Sequence, residues 1–241
     1  TFEVNHMNTK AAAVLGLCIL AGCAVFGFLL TDAVIKGREF DRYFTVRGLS
    51  EQVVKSTVVI WPIRYSVSAE DLPTLKRNME SVQREVADFL EQNGIGRDEY
   101  SVGLPTVQDT ISSRNRDDAV VLPRYNATTP IVVRSIKVDV VKAAAMKSTG
   151  LLDKGITLVA DEYADKIQFM FEGVNALKPK MIEEATANAR AAADKFAADS
   201  HAKVGAIRRA SQGAVEITER DQASPELKVV RVVTTVEFFS E

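Results

Sequence analysis

The 241 residues carry 30 Lys plus Arg against 32 Asp plus Glu, a formal charge of −2, and this balance excludes the broad attraction that draws basic proteins to nucleic acid. Both cysteines, Cys18 and Cys23, lie in one apolar stretch near the N-terminus, so the remainder of the chain has neither disulfide nor thiolate chemistry. Past the first forty residues roughly two hundred remain, enough for one large core or two small ones.

After a short tail of residues 1–10, the segment from Ala11 to Leu30 holds no charge. Twenty helical residues at about 1.5 Å each match the roughly 30 Å hydrocarbon core of a bilayer, so this is a candidate transmembrane helix. Three readings of it stand. A cleaved signal peptide would use Met7 to Lys10 as its basic start, but its apolar region normally runs only about 7 to 15 residues. Leu20-Ala21-Gly22-Cys23 resembles a bacterial lipoprotein signal, with Cys23 as the candidate lipidation site, yet an apolar "AVFGFLL" follows where a polar tether is usual. A retained anchor accounts best for the length. Lys36, Arg38 and Arg42 follow the segment while only Lys10 precedes it, and that count alone would put the C-terminal side in the cytoplasm.

Residues 31–43 read as a polar stalk, and a first strand is predicted at Phe44 to Gly48. From Val53 to Val67 the alternation places Val59, Trp61, Ile63, Tyr65 and Val67 on one face of a long strand. Pro62 has no N–H to give to a ladder, which predicts an edge or bulge there. Ser68 and Asp71 resemble a capping box, and Leu72, Leu75, Met79, Val82, Val86 and Phe89 then recur at spacings of three and four, the pattern of an amphipathic helix closed by Gly94. Extended segments follow at about Tyr100 to Ser113 and Tyr125 to Asp139, around the polar loop "RNRDDAVVLP".

A short helix over Val140 to Thr149 leads to a second run of the same order. Strands are predicted near Ile156 to Val159 and Lys166 to Phe171, followed by a helix capped at Asn175 with Pro179 in its first turn. Its predicted inner stripe is Ile182, Ala185, Ala189, Ala192 and Phe196, small enough for close packing. Strands near Ala206 to Thr218 and Lys228 to Phe239 end the chain, the last turning Val230, Val232, Val236 and Phe238 one way. The fold class is α+β, with two βαββ-like halves at about 44–139 and 140–241 behind one N-terminal span.

Few side chains offer chemistry. His6 and His201 are the only histidines, too few for a zinc site or for a hydrolase triad in the absence of a Gly-x-Ser-x-Gly elbow. Acidic neighbours occur at Asp98-Glu99, Asp117-Asp118, Asp161-Glu162 and Glu183-Glu184; Asp161, Glu162 and Asp165 are the best cation candidates among them, without a calcium-loop pattern. No phosphate-binding glycine motif is present, and Arg208-Arg209 reads as a solvated strand edge. Asn126-Ala127-Thr128 matches a glycosylation triplet, which a bacterial-looking leader makes irrelevant. Trp61 and Pro62 are interface candidates, with a core position the competing reading for Trp61. Catalytic, cofactor and metal residues are therefore expected to be absent.

"VRGLSEQVV" at the first strand, "EEATANARAAADKFAADSHAKVGAIRRASQG" and the terminal "VVRVVTTVEFFSE" resemble the SIMPL domain family over about residues 44–241. That resemblance implies an exported or periplasmic protein of bacteria with no established enzymatic activity. Members include periplasmic immunogenic proteins that form ring-like or channel-like oligomers and others linked to oxidative-stress tolerance. The expectation is a single-pass inner-membrane protein whose periplasmic domain self-associates into a high-order homo-oligomer, without nucleic-acid or small-molecule partners. A periplasmic binding module that captures a peptide by strand addition is the alternative.

Overall fold

The computed structural model describes residues 9–39, 42–110, 123–159 and 166–240. In chain order the elements are α1 (Thr9–Glu39), β1 (Tyr43–Lys55), β2 (Val58–Ala69), α2 (Leu72–Gln92), β3 (Tyr100–Val102), β4 (Thr106–Asp109) and β5 (Tyr125–Ser135). They continue with α3 (Val138–Met146), β6 (Thr157–Leu158), β7 (Gln168–Met170), α4 (Val174–Asp199), β8 (Val204–Gln212), β9 (Glu216–Glu219) and β10 (Leu227–Ser240). The α+β class and the antiparallel sheets expected from the sequence are present. Two compact units form: one from Thr1–Ser50, Met181–Ala214 and Val232–Glu241, the other from Glu51–Lys180 and Val215–Arg231. They are not the successive halves 44–139 and 140–241, because strands of the second stretch pair with strands of the first.

The larger unit is built on β2 and β5, which pair antiparallel without a break from Val59↔Ser135 to Ala69↔Tyr125. Proline shapes both outer edges of this pair. In an antiparallel strand a residue's N–H and C=O point to the same side, and the side alternates. Arg64 accepts from the Val159 N–H at 2.9 Å on the outer side of β2, so Pro62, two residues earlier, turns its ring nitrogen to that same side. There the neighbouring chain is interrupted: β7 pairs with Val58 to Ile60 and β6 with Tyr65 and Ser66. From Leu158 to Gln168 the chain advances ten positions while β2 moves five, from Tyr65 to Ile60. Pro130 in β5 has the same effect. Its carbonyl accepts from Gly103 on the outer side, and the neighbouring chain takes four positions from Val102 to Thr106 against three in β5. The interruption predicted at Pro62 thus lies in the neighbouring strand, while β2 itself keeps a continuous register against β5.

One face of this sheet is covered by α2 and α3. Trp61, Ile63 and Tyr65 of β2 and Ile131 and Val133 of β5 meet Val86, Phe89 and Leu90 of α2 and Val141 and Ala144 of α3. Each fully buried side chain of this size contributes about 1.5–3 kcal/mol. Ser68 is not the start of a capping box, since it pairs with Asn126 inside β2. Asp71 is the cap instead, its carboxylate accepting from the Thr74 N–H at 2.9 Å. At the other end Gly94 takes φ 84°, and the N–H groups of Gly94 and Ile95 return to the carbonyls of Glu91 and Leu90, a Schellman closure. Val138 and Asp139, predicted to end a strand, open α3.

The smaller unit sets α4 against β1 and β10. The buried stripe is Met181, Ala185, Ala189, Ala193 and Ala197, a strict i, i+4 row; Ala192 and Phe196 of the predicted stripe are exposed and Ile182 is half-buried. Gly48 of β1 dictates this row. A Cβ at residue 48 would lie 1.8 Å from the Ala185 carbonyl oxygen and 2.5 Å from the Ala189 nitrogen, so helix and strand backbones nearly touch. Asn188 donates to the Leu49 carbonyl and Ser50 to the Glu184 carboxylate, at 2.8 and 2.9 Å. The helix begins at Val174, ahead of Asn175, which puts Pro179 inside it rather than in its first turn. Position 179 adjoins Lys180, the last residue of that stretch of the larger unit.

α4 ends on His201, held at φ 57°, with Ala202 N–H on the Ala197 carbonyl at 2.9 Å. This is the left-handed closing position that glycine fills at little cost and other residues at about 1–2 kcal/mol. His201→Gly is therefore expected to stabilise the protein by about 1 kcal/mol, seen as a rise in Tm of roughly 2–4 °C. No change, or a fall, would mean that the imidazole makes compensating contacts.

Candidate functional site

The predicted site residues do not converge. Cys18 and Cys23 are both exposed on α1, whose segment Ala13–Thr31 is long and apolar enough to cross a membrane, with none of it buried. Trp61 is only 6% exposed, inside the core of the larger unit, so its core reading holds over the interface reading. Pro62, its neighbour on the opposite sheet face, is half-buried. Asp117, Asp118, Asp161, Glu162 and Asp165 lie outside the described residues. Among the described residues no three His, Cys, Asp or Glu side chains are grouped to hold a metal ion. Glu183 and Glu184 stay on the helix surface, the latter accepting from Ser50.

The most organised polar cluster is built on Glu99, which the sequence marks only as half of an acidic pair. Glu99 accepts from Ser135 Oγ at 2.6 Å, Lys137 Nζ at 2.8 Å and the Gly96 N–H at 2.8 Å. A 3₁₀ turn at Arg97–Glu99 presents it to the junction of β5 and α3. The hydrogen bonds from Lys137 and Ser135, then the Gly96 N–H, hold its carboxyl down at about 2. These bonds join the 3₁₀ turn to the end of β5 and the start of α3, so the cluster acts as a clasp between chain segments. A carboxyl depressed in the folded state contributes stability that is complete above its unfolded value, near 4.5, and lost as pH falls toward 2. Denaturation midpoints followed from pH 6 to 2 should thus fall more steeply for the native protein than for Glu99→Gln; parallel curves would show that the clasp contributes nothing.

Two other features are surfaces. A shallow groove of about 450 Å³ has Ala145, Met146, Ile167, Phe169 and Pro225 as its apolar lining and Lys142, Lys166 and Glu219 as charged lining. Lys142 is held by Glu226 at 2.7 Å and Glu219 by the buried Lys228 at 2.9 Å, so those charges are already spent. The other is an open strand. In the order β1-β10-β8, β8 is an edge, and from Ala206 to Gln212 its residues are exposed. Arg208 and Arg209 lie on it as predicted, Arg208 reaching Glu237 at 3.2 Å. Backbone groups on such an edge are free to pair with another strand.

An antiparallel α+β domain with open sheet edges and, among its described residues, no convergent reactive groups is the class this geometry defines. The chain belongs to the SIMPL family, "Protein of unknown function (DUF541)", whose model matches residues 44–238. No curated protein matches it. Among solved structures, a crystal structure of an amidase of the hydantoinase/carbamoylase family from Burkholderia phymatum is similar at 14% identity and a TM-score of 0.25. The likeness covers 57% of this chain and 35% of that one.

Proposed function

We propose that this SIMPL protein is a membrane-anchored, extracytoplasmic scaffold without enzymatic activity, which self-associates through its sheet edges into a large homo-oligomer of ring-like or channel-like form. The observation that carries this reading is β8, an edge strand exposed from Ala206 to Gln212. An exposed strand of this length is a liability unless something pairs with it. The apolar segment Ala13–Thr31 supports retention in the bacterial inner membrane, and many anchors in one assembly would hold it there firmly. The export that the family resemblance implies favours a periplasmic domain over the orientation that Lys36, Arg38 and Arg42 would give. A role in envelope or oxidative stress belongs to the same proposal.

The second reading, capture of a peptide from another protein by strand addition, uses the same β8 edge. The edge at Pro62 suits it less, because a strand added there would find no N–H at that position. Native mass spectrometry of detergent-extracted full-length protein, with a denatured mass of the same sample, separates the possibilities. A large closed oligomer of subunits retaining Ala11 to Leu30 is expected. A monomer or dimer would sink the assembly and favour strand addition, and subunits beginning at an acylated Cys23 would replace the helical anchor with a lipid.

A further inference from the structure

We infer that the end of the smaller unit next to the anchor sits in the interfacial layer of the membrane, with its arginines on anionic lipid headgroups; this rests on the reading of α1 as a retained span. Chain geometry brings that end close. Beyond Thr31 the helix continues to Glu39, about 12 Å further, and Tyr43 follows within four residues, so β1 starts within about 25 Å of the bilayer edge. The start of β1 meets the end of β10, where Ser240 N–H donates to the Arg42 carbonyl at 2.9 Å. Ser240 pairs with Val204 and Phe238 with Ile207 at the start of β8. The last turns of α4 reach the same place, with the Phe44 and Phe196 rings 5.7 Å apart.

This end exposes an unusual set of side chains. Phe196 is 56% exposed, Ile207 50% and Tyr43 45%. Arg208 stacks its guanidinium 4.1 Å from the Tyr43 ring centroid; Arg42, next to Tyr43 in the chain, and Lys203 and Arg209, just before and within β8, are exposed. Among the described residues the acids at this end are Asp199, exposed on the last turn of α4, and Glu237, which Arg208 already engages. Apolar and aromatic groups beside four cations and two acids, counted among the described residues, suit the headgroup layer of an anionic bilayer, rings at the boundary and each Lys or Arg contributing about 1 kcal/mol. Three large apolar side chains in water at one end would otherwise be an uncompensated cost. The domain is accordingly seated on the membrane and not held away from it by a stalk.

The test uses the full chain in vesicles of phosphatidylcholine, with and without phosphatidylglycerol, carrying acyl chains brominated near the headgroup. Indoles introduced by Phe196→Trp and, independently, Ile207→Trp report position, and wild-type protein gives the background from buried Trp61. Both indoles should be blue-shifted and quenched by the brominated lipid, at least twofold more strongly in the anionic vesicles. Arg208→Glu with Arg209→Glu should remove that lipid preference. Full access to aqueous iodide in both vesicle types overturns the inference, as does a blue shift without quenching by the brominated lipid, which would place a second copy on the patch. A Leu15→Trp indole, near the end of the span away from the domain, separates the two readings. If it escapes quenching, the anchor fails and the seat with it; if it is quenched while the indoles at 196 and 207 stay in water, the seat alone is wrong.

Discussion

Gly48→Ala is expected to destabilise the protein by about 3 kcal/mol or more, at the upper end of the cost of overpacking a core. The added Cβ would meet backbone atoms of α4, the Ala185 oxygen at 1.8 Å and the Ala189 nitrogen at 2.5 Å, and backbone cannot rotate away as a side chain can. Relief requires α4 to shift off β1, which breaks the Asn188 bond to the Leu49 carbonyl and opens space around Ala189 and Ala193. Thermal unfolding of detergent-solubilised protein should show a Tm lowered by roughly 6–12 °C. A change under about 0.5 kcal/mol would mean that helix and strand do not approach this closely.

Trp61→Ala should cost about 3–5 kcal/mol, the range for truncating a buried aromatic. Its side chain belongs to the core formed by β2, β5, α2 and α3, so the loss is expected in the stability of the folded chain and not in its association. Urea denaturation should move to lower midpoint, while the oligomeric state of whatever remains folded stays that of the parent. Unchanged stability with a smaller assembly would return Trp61 to the interface.

Much of the larger unit was legible because its signals are local. The spacing from Leu75 to Phe89 and the glycine at 94 describe α2, with errors at its start, where Leu72 is exposed and pairing of Ser68 with Asn126 outranks a capping motif. The apolar face of β2 follows from strict alternation. In α4 the signal is weak, because alanine occupies almost every side of the helix; the larger Ile182 and Phe196 then bias the choice of stripe, although only alanines fit against Gly48. That constraint comes from a strand more than a hundred residues away and leaves no local trace. The short strands β6 and β7 lie where the sequence puts them along the chain, but their partner, β2, belongs to the first of the two expected halves. As for the candidate site, the sequence yielded Arg208-Arg209 on a strand edge, whereas the Glu99 clasp depends on Ser135 and Lys137, brought in by folding alone.

The interleaving of the two units bears on synthesis and export. β1 hydrogen-bonds to β10, so the first strand made waits for the last, and neither unit can finish before residues 215–231 or 232–240 are available. The familiar order in which an N-terminal domain folds while the rest is still being translated is closed to this chain. Pairings of such long sequence separation also form slowly. Under the export proposed above, a chain whose first strand cannot pair until the last emerges would stay open longer to a translocation channel that threads only extended chains, and a delay that is a hazard in the cytoplasm would become a window for crossing the membrane.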